Sequence, residues 1–115
     1  MRSILIVDDD EDLREVLKDA LLFEGYHVEI ATNGREAVSW LHAHAGESWL
    51  VLLDLMMPVM DGEGFLSCRA TDPVLAAFPV VLLTAGGDCR ALQAAHHLAA
   101  CLPKTIPLPQ LNGLG

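Results

Sequence analysis

The sequence predicts an α/β domain built on a parallel sheet with helices on both faces, and three observations predict it. Hydrophobic period switches back and forth between short continuous apolar runs and segments with helical spacing. The runs are rich in Val, Ile and Leu, as strands buried on both faces require. Strand and helix alternate five times, a pattern that right-handed crossovers turn into a covered parallel sheet.

The first run is "SILIVD" (3–8), a β-branched-rich strand. Asp10 caps the helix that follows, in which Leu13, Val16, Leu17, Ala20 and Leu21 recur at helical spacing and Gly25 supplies a left-handed stop. "HVEIA" (27–31) is the second strand, and Asn33 caps a helix carrying Ala37, Val38 and Leu41. "WLVLLD" (49–54) is the third strand, with a short helix expected over Gly62 to Ala70. "PVVLLTA" (79–85) is the fourth, and Asp88 caps an Ala-rich helix running to about His97. "AACLP" (99–103) is a short fifth strand, and the Pro- and Gly-containing "TIPLPQLNGLG" after Lys104 leaves room for only a brief last helix.

At 115 residues the chain fits one domain, 1–115, with a single core and no second, output domain expected within it. No apolar run has the length of a membrane span. The N-terminal "MRSILIVDDD" meets acid too soon for a secretory signal, so a cytoplasmic location is expected. A net charge of -9 with only 7 scattered basic residues argues against a nucleic-acid surface. Cys68, Cys89 and Cys101 form no C-x-x-C pair and read as reduced packing residues.

In open parallel sheets ligands gather beyond the carboxyl ends of the strands. This sequence puts Asp8 and Asp9 at the end of strand one, Asp54 at the end of strand three, Thr84 at strand four and Lys104 at strand five. Carboxylates meeting in one cleft repel one another, and a hard divalent cation such as Mg2+ or Mn2+ relieves that repulsion. An acidic cluster with one lysine and one hydroxyl suits phosphoryl chemistry, with Asp54 the candidate nucleophile. No Walker-type Gly-rich loop is present, so nucleotide binding is not expected. Asp10, Glu11 and Asp12 read as an acidic helix start. Met56, Met57 and Met60 read as packing residues, Pro58 and Gly62 as turn residues, and His42, His44, His96 and His97 as surface positions.

The strings "ILIVDDDEDLR" (4–14), "LLDLMMPVMDG" (52–62) and "VVLLTA" (80–85), with Lys104, resemble the response-regulator receiver domains of two-component signalling. The resemblance covers nearly the whole chain. It implies a flavodoxin-like (βα)5 three-layer sandwich with strand order 2-1-3-4-5. It implies that Asp54 accepts a phosphoryl group from a histidine kinase or phosphotransfer protein and signals to a downstream protein target. Such a domain assists its own phosphorylation and dephosphorylation without being an enzyme in the ordinary sense. Asp9 and Asp54 would ligate magnesium with the backbone carbonyl of Met56, and Asp8 would act through metal-bound water. Lys104 would pair with the phosphoryl group, Thr84 would move towards it with the Ala85 amide alongside, and the position of Cys101 would report the change.

The sequence departs from that pattern near its end. Lys104-Thr105 replaces the usual Lys-Pro, and a cis bond before threonine costs about 3 kcal/mol, so a trans bond is expected. Cys101 stands where the family commonly has an aromatic residue, and His97-Leu98 replaces a Gly-Ala pair, so altered output is expected. Met56 and Gly86 flank the site without polar side chains, which predicts a persistent aspartyl phosphate. Two other readings are a degenerate receiver acting as a phosphorylation-independent interaction module and a small haloacid-dehalogenase-like phosphohydrolase. The latter class wants an aspartate two residues after the nucleophile, where this chain has Met56.

Overall fold

A computed structural model describes residues 3–54, 60–84, 94 and 98–103, with Thr84 and residues 101–103 described by backbone alone. The elements are β1 (Ser3–Val7), α1 (Glu11–Phe23), β2 (His27–Ala31), α2 (Gly34–Ala43), β3 (Leu50–Asp54), α3 (Gly62–Thr71), α4 (Pro73–Ala76), β4 (Val80–Thr84) and β5 (Ala100–Pro103). The five strands form one sheet in the order β2-β1-β3-β4-β5. Every neighbouring pair is parallel. This is the expected flavodoxin-like sheet. The expected helix from Asp88 to about His97 and the brief last helix fall outside the described residues, apart from a helical Ala94.

Strand alternation divides the core in two. Leu5, Val7, Val51, Leu53, Val80 and Leu82 face one way and pack with Ala37 and Leu41 of α2, Phe65 and Leu66 of α3, and Leu75 of α4. Ile4, Ile6, Val28, Leu52, Val81 and Leu83 face the other way, against Leu17 and Leu21 of α1. Each such buried side chain contributes roughly 1.5–3 kcal/mol over an exposed one. The chain steps from β1 out to β2 and then back past β1 to β3, so the strand order reverses between β1 and β3. A crevice opens at the carboxyl ends of those two strands.

The helix ends follow their sequence signals. Asp10 Oδ1 accepts from the Leu13 amide at 3.2 Å. Gly25 sits at φ 93°, and the Gly25 and Tyr26 amides bond back to the Leu22 and Leu21 carbonyls at 3.0 Å each, closing α1. Asn33 and Asp61 cap α2 and α3 through the Glu36 and Gly64 amides, each at 2.8 Å.

The helix expected from Gly62 begins there, at the first residue of α3, with Asp61 holding the cap ahead of it, so Gly62 is a helix residue rather than a turn residue. Other expectations are corrected. Val16 shares the helical spacing of the core residues, yet it is 66% exposed, and Phe23 is 88% exposed. His44 is half-buried, and its ring stacks on Trp40 with centroids 3.7 Å apart. The Trp40 carbonyl 2.7 Å away can only accept, so His44 Nδ1 carries the proton.

The short α4 was not expected. Its start is held by Asp72, which accepts from the Val74 amide at 2.9 Å and lies 2.6 Å from His42 Nε2 at the end of α2. Arg69 Nε and Nη2 both donate to the Phe78 carbonyl, at 3.3 and 3.2 Å, and burial lowers its pKa. These bonds tie the α3–α4 corner to β4.

Burial acts to raise the Asp72 pKa, but the hydrogen bonds from His42, Val74 and Leu75, with the His42 charge, together hold it below its ordinary 3.8. A depressed folded-state value means the stabilisation is present at neutral pH and is lost as pH falls through the folded value. Asp72→Ala is therefore expected to lower Tm near neutral pH, with the gap to wild type closing below pH 3.8 in thermal scans. A gap that is constant with pH contradicts this account of the cap.

Candidate functional site

The crevice between β1 and β3 holds the acidic residues. Val7 and Leu53 are register partners at the ends of the two strands, so Asp8 and Asp54 follow side by side. Both are buried, whereas Asp9, one residue further, is exposed. One carboxylate oxygen from each of Asp8, Asp9 and Asp54 lies within 4.8 Å of the others. The cluster is thus closed on the sheet side and open to solvent through Asp9.

Backbone bonds hold the β1 end in place. The Asp8 amide donates to the Ala31 carbonyl at 3.1 Å, which ties it to the end of β2. The Asp10 amide donates to Asp8 Oδ1 at 2.9 Å, so the start of α1 turns back on the acid. Arg14 Nη1 donates to the Asp8 carbonyl at 3.2 Å and brings a positive charge to the rim. Arg14 was not singled out from sequence. Its signal was faint: the only base in the acidic string "DDDEDLR", four residues after the Asp10 cap.

Carboxylates no more than 4.8 Å apart repel by at least about 3.5 kcal/mol per ionised pair at an effective dielectric near 20. The donor set is oxygen only, it converges, and it faces solvent on one side, which fits a hard divalent cation that keeps part of its water shell. It does not fit zinc, which takes imidazole or thiolate in structural sites. No His or Cys joins the group among the described residues.

The other expected site residues are placed in part or not at all. Thr84 ends β4 and Cys101 lies in β5 opposite Leu82, both on backbone grounds alone. Leu83 is the register partner of Asp54, so the backbone of Thr84 reaches the same edge of the sheet. Met56, Ala85 and Lys104 lie outside the described residues, as do Gly86 and the Lys104–Thr105 bond. Met60 packs against the core, as its reading as a packing residue has it.

A family model described as the response regulator receiver domain matches residues 4–113. Among curated proteins the chain is 43% identical over 108 residues to the transcriptional regulatory protein CpxR homolog of Haemophilus influenzae, covering 90% of this chain and 44% of that protein. It is 37% identical over 110 residues to the response regulator MprA of Mycolicibacterium vanbaalenii, covering 94% of this chain and 46% of that protein. The chain therefore spans less than half the length of these relatives. Among solved structures it resembles the response regulator protein TrrA of Thermotoga maritima in complex with Mg2+-BeF, with 30% identity and a TM-score of 0.82 over 98% of this chain and 95% of that one. The N-terminal domain of a response regulator receiver protein from Methanoculleus marisnigri gives 32% identity and a TM-score of 0.80, over 98% and 92%.

Because a ligand that binds only the folded state raises its stability, a cation site at this cluster predicts that Mg2+ raises the Tm of the wild-type chain in a concentration-dependent way. Differential scanning calorimetry of Asp54→Asn and Asp9→Asn is expected to show most of that rise lost. Equal Mg2+-dependent shifts in all three proteins contradict a site at this cluster.

Proposed function

The chain belongs to the response regulator receiver domain family, and from that premise we propose that it is a magnesium-dependent phosphorylation switch whose acceptor is Asp54. One observation carries the reading: a buried strand-end carboxylate lies beside Asp8 and Asp9, with their oxygens within 4.8 Å. The donor is a histidine kinase or a phosphotransfer protein. Its phosphohistidine gives up the phosphoryl group as the P–N bond breaks and a bond forms from phosphorus to an Asp54 carboxylate oxygen.

The residues divide the work. Asp9, Asp54 and the Met56 carbonyl would hold Mg2+ or Mn2+, with Asp8 acting through its water. When bound, the cation offsets the negative charge gathered on the carboxylates and the incoming phosphoryl oxygens. Lys104 supplies a second positive charge to those oxygens. Thr84 and the Ala85 amide donate to the phosphoryl group, and that rearrangement is the signal, with the segment around Cys101 to Thr105 passing it on. Met56 and Gly86 offer no side chain to orient an attacking water, so the acyl phosphate persists.

A protein donor is supported by the exposed apolar side chains on α1. Val16 and Phe23 are exposed, with the acids Asp12, Glu15 and Asp19 around them, on the helix that starts at the acidic crevice. We assign residues 1–115 to a single receiver domain that contacts a downstream protein rather than nucleic acid, in the cytoplasm. No helix among the described residues is long and apolar enough to cross a membrane. Transcriptional regulation is what the names of the longer relatives say of those proteins.

A second reading, a receiver that acts without phosphorylation, is favoured by one feature, the Lys104-Thr105 pair where the family has Lys-Pro. Mass spectrometry after incubation with Mg2+ and acetyl phosphate separates the two. The expected result is a single acid-stable, base-labile phosphoryl group per chain, absent from Asp54→Asn. No labelling of the wild type establishes the degenerate module, and repeated turnover of the donor establishes a phosphohydrolase instead.

A further inference from the structure

The corner between β2 and α2 is bonded to Asp8 of the acidic crevice and to Met60, six residues after Asp54 in sequence. On one side the Asp8 amide donates to the Ala31 carbonyl at 3.1 Å. Three residues on, the Gly34 amide donates to the Met60 carbonyl at 2.8 Å. Asp8 is one wall and Asp54 the other. Met60 stands six residues after Asp54 in sequence and directly before Asp61, the cap of α3.

The corner is braced and closely fitted. Glu36 Oε1 accepts from the Thr32 amide at 3.1 Å and Oε2 from the Thr32 hydroxyl at 3.0 Å, while Asn33 Oδ1 accepts from the Glu36 amide at 2.8 Å. This reciprocal cap fixes Thr32 to Glu36 as a unit. Gly34 is buried, and a methyl group on it would stand 2.7 Å from the Met60 carbonyl oxygen, 2.9 Å from Met60 Cγ and 3.2 Å from the Asp61 carbonyl oxygen. A methyl on Gly64 would meet Met60 Cγ at 3.0 Å, so Met60 is seated between two glycines. The backbone carbonyl cannot swing aside as a side chain can. Any side chain at position 34 must push Met60 away from the corner.

We infer that Gly34 is a positioning residue for the acidic crevice: through its bond to Met60, with Ala31 bonded to Asp8, it sets the separation of the two walls and so the affinity for a divalent cation. The inference rests on the reading of the crevice as a cation and phosphoacceptor site. It adds a residue that touches neither cation nor phosphoryl group. Because binding couplings are reciprocal, a cation held between the walls also tightens the corner and slows exchange of the Gly34 amide.

Electron paramagnetic resonance of Mn2+ measures affinity for the wild type, Gly34→Ala, Glu36→Ala and His42→Ala, at a temperature where circular dichroism shows all folded. Displaced outer-shell support costs roughly tenfold in metal affinity. Gly34→Ala is expected to weaken binding by about that factor. Glu36→Ala, which removes the exposed brace, weakens it in the same direction. His42→Ala, at the other end of the same helix, leaves it unchanged, and Mg2+ slows Gly34 amide exchange in the wild type. Wild-type affinity in Gly34→Ala overturns the inference and leaves the cation site standing, and so does equal weakening in His42→Ala. Should Gly34→Ala fail to fold, unchanged affinity in Glu36→Ala together with unchanged Gly34 exchange overturns it. A wild type that binds no Mn2+ overturns the cation reading and this inference with it.

Discussion

Mutual repulsion among Asp8, Asp9 and Asp54 is the constraint around which the rest of the structure is arranged. Their oxygens share a space less than 5 Å across, and two of the three residues are buried. Left in a flexible loop, such groups would move apart or take up protons. Here Asp54 terminates a strand whose register is fixed on one side by β1 and on the other by β4. Asp8 follows a strand with β2 and β3 on its two sides. Separating the acids means disturbing the central strands of the sheet and the apolar layers packed on both faces. The core thus holds in place a charge arrangement that local structure alone would not keep, and in the proposed reading a cation turns that arrangement from a cost into a binding site.

Much of this architecture was legible because it is written in local patterns. Apolar runs marked all five strands to within a residue or two, and Asp10, Asn33 and Gly25 marked helix ends through bonds to their own neighbours. The acids of the crevice were legible as polar residues ending apolar runs, since parallel strands bring their carboxyl ends to one edge. What stayed hidden depends on partners distant in sequence. Periodicity puts Val16 on a face with Leu13 and Ala20, but it does not show that Val16 is left exposed. His44 looked like a surface histidine until Trp40 and Trp49 were brought against it. The Gly34–Met60 contact joins the start of α2 to the stretch before α3, across α2 and β3 in sequence, and no local motif encodes it. The α4 start was readable in principle, since Asp72-Pro73 is a cap followed by proline at the first helical position.

The two ends of the sheet differ in character. At the carboxyl end the structure gathers charge, glycine seats and exposed acid. At the other end Trp49 lies edge-on to Trp40, with centroids 4.5 Å apart, and donates to Glu47 at 3.0 Å. The crevice itself is organised by a small number of directed hydrogen bonds that Ala31, Asp10 and Arg14 make with Asp8. The proposed switch would use that division, since a responding edge must rearrange while the sheet beneath it does not.

The central claim is that Asp9 and Asp54 oppose each other through the fold and are reconciled by a cation. A double-mutant cycle with Asp9→Asn and Asp54→Asn, measured by denaturant unfolding with and without Mg2+, isolates that pairwise term from each residue's other contacts. Without Mg2+ the account predicts that the two substitutions together gain less stability than the sum of their separate effects, because the repulsion between them can be removed only once. With saturating Mg2+ the coupling changes sign, since the two carboxylates then support each other through a shared ligand. Additive effects in both conditions would contradict the account.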